Sequence, residues 1–154
     1  MSGINSTINI LLADDDEDDC LFFKDAIEEL QLPVQVTTIH DGEALMLHLE
    51  ASAANLPQAL FLDMNMPRKN GFECLTEIKN HSALKTLPII VYSTFYDEEK
   101  ANLLYSIGVH YYIRKPSDFE ELKKVVHRTM MLLGHNKLQA AKENFFINKY
   151  KTAL

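Results

Sequence analysis

Four short stretches carry residue types that can do chemistry together. Asp14, Asp15 and Asp16 follow the apolar run Ile8 to Ala13, and Asp63 follows Ala59 to Leu62. Ser93 and Thr94 follow Leu87 to Tyr92, and Lys115-Pro116 follow Val109 to Arg114. Three carboxylates held a few ångströms apart repel one another. One pair at ~4 Å in an effective dielectric of about 20 costs roughly 4 kcal/mol. A hard divalent cation relieves that repulsion, and oxygen-only ligands at an open, partly hydrated site favour Mg²⁺. Such a cation would neutralise incoming phosphate oxygens, with Lys115 as a second positive charge and Ser93 as a hydrogen-bond donor. A carboxylate can act as the nucleophile and become an acyl phosphate. Asp63 is the best candidate, since it stands alone at the end of a central strand just before a loop.

These stretches meet only if the elements before them are parallel. Short apolar runs alternate with segments of helical period along the chain. Strands are expected at Ile8–Ala13, Val34–Ile39, Ala59–Asp63, Leu87–Ser93 and Val109–Arg114. Helices are expected at about Glu17–Leu30, Asp41–Ala54, Phe72–Asn80, Asp97–Ile107 and from Ser117 or Asp118 to Gly134. In the first helix Cys20, Phe23, Ile27 and Leu30 recur at steps of three and four, which puts them on one face. Asp16 and Asp41 suit N-caps, and Gly108 suits a helix C-terminus. Five strand–helix alternations predict an α/β fold, a doubly wound parallel sheet with helices on both faces. Ligands of such sheets bind beyond the carboxyl ends of the strands, where the acids, hydroxyls and lysine fall.

Composition narrows the function classes. The chain has 154 residues, 15 Lys and Arg against 22 Asp and Glu, and a net charge of −7. One domain is expected, and a nucleic-acid surface is not, because phosphate backbones select clustered Lys and Arg. Cys20 and Cys74 form no CxxC pair, and none of the six histidines has metal-ligand spacing to another. No apolar run approaches the ~18 residues of a membrane span, so a cytoplasmic setting is the default. Asp18 and Asp19 are expected to be surface residues that compensate the helix dipole. Arg68-Lys69 reads as a solvated loop pair.

The stretches Ile10–Asp16, Leu62–Arg68 with Asn70-Gly71, Pro88–Thr94 and Gly108–Pro116 resemble a response-regulator receiver domain of two-component signalling, over about residues 8–134. The resemblance implies the flavodoxin-like strand order 2-1-3-4-5, one of the common doubly wound orders, and receivers are among the known cases of it. It implies Asp63 as phosphoacceptor. Asp15 would bind Mg²⁺ directly, Asp14 largely through water, and the Asn65 backbone carbonyl would complete the protein's share of the shell. Ser93 would be the switch hydroxyl, Lys115 the partner of Asp63 and its phosphate, and Tyr112 the switch aromatic, though Tyr111 is adjacent. The Lys115–Pro116 bond would be cis.

Ala13 departs from the family's larger aliphatic residue. Phe95 is bulky at a position that, with Asn65, influences access of hydrolytic water, and so it is expected to slow self-dephosphorylation. The donor would be a histidine kinase or phosphotransfer protein, and the output contact with a downstream protein. The chain would be a phosphoacceptor, not an enzyme.

The receiver is expected over residues 6–134. Residues 135–154 are expected to be a helical extension, with Leu138, Ala141, Phe145 and Phe146 on one stripe. It would pack on the domain, on a partner or in a homodimer. Two rivals exist. A Mg²⁺-dependent phosphohydrolase of the haloacid-dehalogenase type also uses an Asp nucleophile but wants a second Asp where Asn65 stands. A degenerate receiver would bind partners without phosphorylation, yet every expected side chain is present.

Overall fold

The computed structural model describes residues 7–135 and 141–148. Five parallel strands stand in the order β2-β1-β3-β4-β5. They are β1 (Ile8–Ala13), β2 (Val34–Ile39), β3 (Ala59–Leu62), β4 (Ile89–Ser93) and β5 (Tyr111–Arg114). The crossovers run through α1 (Glu17–Glu29), α2 (Gly42–Ala51), α3 (Gly71–Lys79) and α4 (Glu98–Ile107), and α5 (Phe119–His135) follows the last strand. The doubly wound α/β fold and its strand order are therefore as expected.

Alternation along the strands divides the core in two. Leu11, Leu60, Leu62, Ile89 and Val91 pack with α2, α3 and α4 residues such as Leu49, Leu75, Ile78 and Leu104. Ile10, Leu12, Phe61, Ile90 and Ile113 face α1 and α5, meeting Phe23, Ile27, Leu122 and Val126. Burial on both faces explains why β3 and β4 read as unbroken apolar runs.

Helix ends follow local chemistry. Asp16 accepts from the Asp19 N–H and Asp41 from the Ala44 N–H. Asp118, not Ser117, accepts from the Glu121 N–H. Asn70 and Glu73 form a capping box at α3. Gly108 closes α4 in the left-handed region, φ 111°. The Val109 N–H is spent on the Leu104 carbonyl, so β5 starts at Tyr111 rather than Val109. The Leu87 N–H likewise closes a turn on Leu84, and β4 starts at Ile89. Helix α5 continues through Gly134 to His135, one residue past the expected end.

Two expectations are corrected. All described peptide bonds are trans, including Lys115–Pro116; trans is the favoured isomer of X–Pro by about 0.5–1 kcal/mol. Phe145 and Phe146 do not lie on a helix. Lys142–Asn144 makes one 3₁₀ turn, and Phe146 then bridges Tyr112 in parallel. The free N–H and C=O groups on the open edge of β5 select an extended segment there. Leu138 lies outside the described residues.

Candidate metal and phosphoryl site

The site is built where β1, β3, β4 and β5 end. Hydrogen bonds between neighbouring strands place its residues in step: the Asp63 N–H donates to the Ala13 carbonyl (2.9 Å) and the Lys115 N–H to the Ser93 carbonyl (2.8 Å). Gly71 lets α3 begin against this loop. A Cβ there would sit 2.5 Å from the Asp63 carbonyl oxygen and 2.6 Å from Met64 Cα.

Asp14, Asp15 and Asp63 each offer a carboxylate oxygen, and these atoms lie within 4.8 Å of one another. Asp14 and Asp63 are buried and Asp15 is exposed, so the triad opens to solvent on one side. Its all-oxygen donors fit a hard divalent cation. The Asp14 Oδ1 accepts from the Asp16 N–H at 3.0 Å, and Asp63 Oδ1 accepts from the Asn65 N–H at 3.2 Å. These bonds orient the carboxylates and leave oxygens for a ligand.

Lys115 reaches into the same space. Its Nζ lies 2.7 Å from Asp14 Oδ2, 2.9 Å from Asp19 Oδ2 and 3.6 Å from Asp63 Oδ2. Burial disfavours the ammonium, but hydrogen bonds to Asp14 and Asp19 and the Asp63 charge outweigh it, so its pKa rises. Burial pushes the Asp63 carboxyl up to about 7, although the Lys115 charge and the Asn65 N–H pull it down. A cation must displace that proton. Divalent-metal affinity is therefore expected to fall below about pH 7, up to tenfold per pH unit, and to level off above it. Titration calorimetry with Mg²⁺ at about pH 5.5, 6.5 and 8 measures this; pH-independent affinity would contradict a protonated Asp63.

Ser93 and Tyr112 stand beside this pocket. They line a cleft of about 550 Å³ together with Met64, Asn65, Phe95 and Lys100. The buried Ser93 Oγ accepts from the Phe95 N–H at 3.4 Å. The Tyr112 hydroxyl donates to the Phe95 carbonyl, while Tyr111 packs on the opposite face against the α1–α5 core. Burial raises the Tyr112 phenol, partly offset by Ser93. Phe95 itself is 70% exposed at the cleft mouth.

Asp19 was expected at the surface as a dipole-compensating residue. It does stand in the first turn of α1, and its partly exposed side chain also reaches Lys115, across 96 residues of sequence. The acid run carries no local signal for this contact, because its partner is 96 residues away. Arg68 lies within 3.9 Å of Asp41 and 3.8 Å of Glu43, and Lys69 pairs with Glu77, so this loop pair is tethered. Cys20 and Cys74 are buried free thiols, pushed up to about 12 and about 11 chiefly by burial. No helix among the described residues is long and apolar enough to cross a membrane.

Comparison with known proteins agrees with this geometry. The family model for the response regulator receiver domain matches residues 10–127. The probable methanogenesis regulatory protein FilR2 of Methanothrix harundinacea is 31% identical over 120 residues, covering 76% of this chain and 77% of that protein. Response regulator Rcp1 of Synechocystis is 29% identical over 121 residues, 76% of this chain and 82% of that protein. Among solved structures, the phosphorylated cyanobacterial phytochrome response regulator RcpA superposes with a TM-score of 0.77 at 29% identity, over 88% of this chain and 100% of that one. The Mn²⁺-bound form of Rcp1 gives 0.73 at 28% identity, over 86% and 99%.

Proposed function

This chain belongs to the response regulator receiver domain family, and from that premise we propose that Asp63 is its phosphoacceptor. The observation that carries the reading is the convergence of three carboxylates within 4.8 Å, with Lys115 Nζ 2.7 Å from Asp14 and 3.6 Å from Asp63. The donor is a phosphohistidine on a histidine kinase or phosphotransfer protein. The P–N bond of the donor breaks, an Asp63 oxygen forms the new P–O bond, and the imidazole leaves with its electron pair. The cation is Mg²⁺, held by Asp14, Asp15 and Asp63 with the Asn65 carbonyl, and it supplies positive charge to the phosphoryl oxygens. The Mn²⁺ form of Rcp1 and the phosphorylated form of RcpA support both assignments by similarity.

The remaining work belongs to the chain's own groups. Lys115 meets charge on the transferring group, and much of such catalysis is positioning and electrostatics. The Ser93 hydroxyl donates a hydrogen bond to a phosphoryl oxygen. Because Phe95 N–H bonds Ser93 and Phe95 C=O bonds Tyr112, movement of Ser93 is transmitted to Tyr112. The product shifts a two-state equilibrium, read by a protein partner at the face of α4, β5 and α5.

Incubation with a small phosphodonor and Mg²⁺, followed by intact mass measurement, tests the reading. One stable phosphoryl adduct is expected. Rapid multiple turnover without an adduct would mark a hydrolase, and neither adduct nor turnover would mark a degenerate receiver.

Phe95 restricts the water that hydrolyses the acyl phosphate, since its ring lines the cleft beside Ser93 and Asn65. Phe95→Glu is expected to shorten the adduct's lifetime about three- to tenfold, because a polar side chain there admits and orients water. Adduct decay followed by mass spectrometry checks this, and an unchanged lifetime rejects it.

A further inference from the structure

Residues 145–148 run along the outer edge of β5. The Tyr112 N–H donates to the Phe145 carbonyl at 3.0 Å, and the Ile147 N–H donates to the Tyr112 carbonyl at 3.0 Å. Asn148 clamps the backbone of Arg114 with both ends of its amide. Its Oδ1 accepts from the Arg114 N–H at 2.9 Å, and its Nδ2 donates to the Arg114 carbonyl at 2.7 Å. Arg128 on α5 donates to the Ile147 carbonyl at 3.3 Å. The segment is thus fixed by backbone bonds centred on one residue, Tyr112.

Its two aromatic side chains converge on the same place, while Ile147 packs on the α1–α5 side of the sheet. Phe145 and Ile147 are buried. The Phe146 ring stacks on Tyr96, with centroids 4.2 Å apart and planes 13° apart, and meets Tyr112 edge-on at 5.5 Å. Phe145 meets Tyr112 at 6.4 Å, and Tyr96 meets Tyr112 at 5.4 Å. Tyr96 follows Phe95 in the β4–α4 loop. One ring therefore touches both the switch tyrosine and the loop whose carbonyl receives its hydroxyl.

We propose that Phe145–Asn148 is a latch of the switch, in which Phe146 positions Tyr112 with its hydroxyl turned toward the β4–α4 loop, so that docking of this segment and phosphorylation of Asp63 strengthen each other. The proposal rests on the roles given above to Asp63 and Tyr112. Turning Tyr112 outward would break its bond to Phe95 and withdraw its ring from Phe146, Phe145 and Tyr96. The docked segment therefore favours the inward state. A phosphoryl group that draws Ser93 and its loop favours the same state. Two events that favour one state are positively coupled, and the coupling is reciprocal. Phe145 and Phe146 are positioning residues here, acting through Tyr112.

The test uses the full chain, Mg²⁺ and beryllofluoride, a mimic of a carboxylate-bound phosphoryl group, with ¹⁹F NMR to register binding. Loading is expected to slow amide exchange at Tyr112 and Ile147 about tenfold. Phe146→Ala is expected to weaken beryllofluoride binding by up to a similar factor, and Phe146→Tyr to restore it. Asn148→Ala, which loosens the clamp without removing a ring, is expected to weaken binding in the same direction and guards against misfolding of the first variant. A purely structural segment would lower the melting temperature of these variants and leave affinity unchanged. The latch is overturned if bound beryllofluoride leaves exchange at Tyr112 and Ile147 unaltered, or if Phe146→Ala and Asn148→Ala bind as tightly as the wild type; the Asp63 reading then stands. If the wild type shows no bound ¹⁹F signal beyond that of Asp63→Asn, both readings fall together.

Discussion

Asp63→Asn is expected to abolish the phosphoryl adduct, a loss of at least about a thousandfold in the rate of its formation, because an amide oxygen is no match for a carboxylate as nucleophile. The same variant is expected to be more stable than the wild type when metal is absent and the pH is near 8. Burial raises the folded pKa of Asp63 from 3.8 to about 7. The folded protein therefore holds a proton that the unfolded chain releases between those values. This contribution to stability is full below about pH 4 and is lost as pH rises through about 7. The gap between those two values corresponds to about 4 kcal/mol as an upper figure. Asparagine carries no charge to bury, and Lys115 keeps Asp14 and Asp19 as partners. Urea unfolding at about pH 5 and pH 8 with chelator, beside intact mass after phosphodonor treatment, measures both effects. A persistent adduct would move the acceptor to another residue. A variant less stable near pH 8 would mean that the Asp63 carboxylate is satisfied in the fold.

These two effects have one source: the carboxylate proposed as the acceptor is held where a charge is costly. Sequence made the position of Asp63 visible, though not the cost of its charge, because a lone acid after four apolar residues falls at the strand end. Asp16, Asp41 and Gly108 were legible for a related reason, as caps are decided within a few residues of chain. Strand order was different. Alternation of strands and helices defines crossovers but not neighbours, and the order β2-β1-β3-β4-β5 was expected only through the family resemblance. The boundaries of β4 and β5 shifted because Leu87 and Val109 commit their N–H groups to turns and a helix end.

The Asp19–Lys115 contact and the place of Phe146 escape sequence reasoning for the opposite reason. The contact of Asp19 with Lys115 and the packing of Phe146 on Tyr96 join distant parts of the chain. Asp19 has the local pattern of a helix N-terminal acid, and Phe146 that of an apolar helix stripe. Local pattern says nothing about a lysine 96 residues away or an open strand edge.

Lys115→Met should separate the two duties of the lysine. Its ammonium faces the buried carboxylates of Asp14 and Asp63. Methionine nearly keeps the length of the side chain and removes the charge. Breaking a buried ion pair by deleting one partner leaves the other uncompensated, so a loss of about 3 kcal/mol is expected near pH 8. The loss is expected to be smaller near pH 5, where Asp63 carries a proton in the folded state. Mg²⁺ should recover part of the deficit, since a cation that binds only the folded form stabilises it by mass action. Phosphoryl transfer should not recover in parallel. With Mg²⁺ saturating, adduct formation in Lys115→Met is expected to remain about a hundredfold slower, because charge on the transferring group is met by the metal alone. If Mg²⁺ restored both stability and rate, Lys115 would be no more than a counterion for the metal-free pocket. If it restored stability and left the rate low, the ammonium acts on the phosphoryl group itself, and its pairing with Asp14 and Asp19 is how the chain keeps it at the pocket until that group arrives.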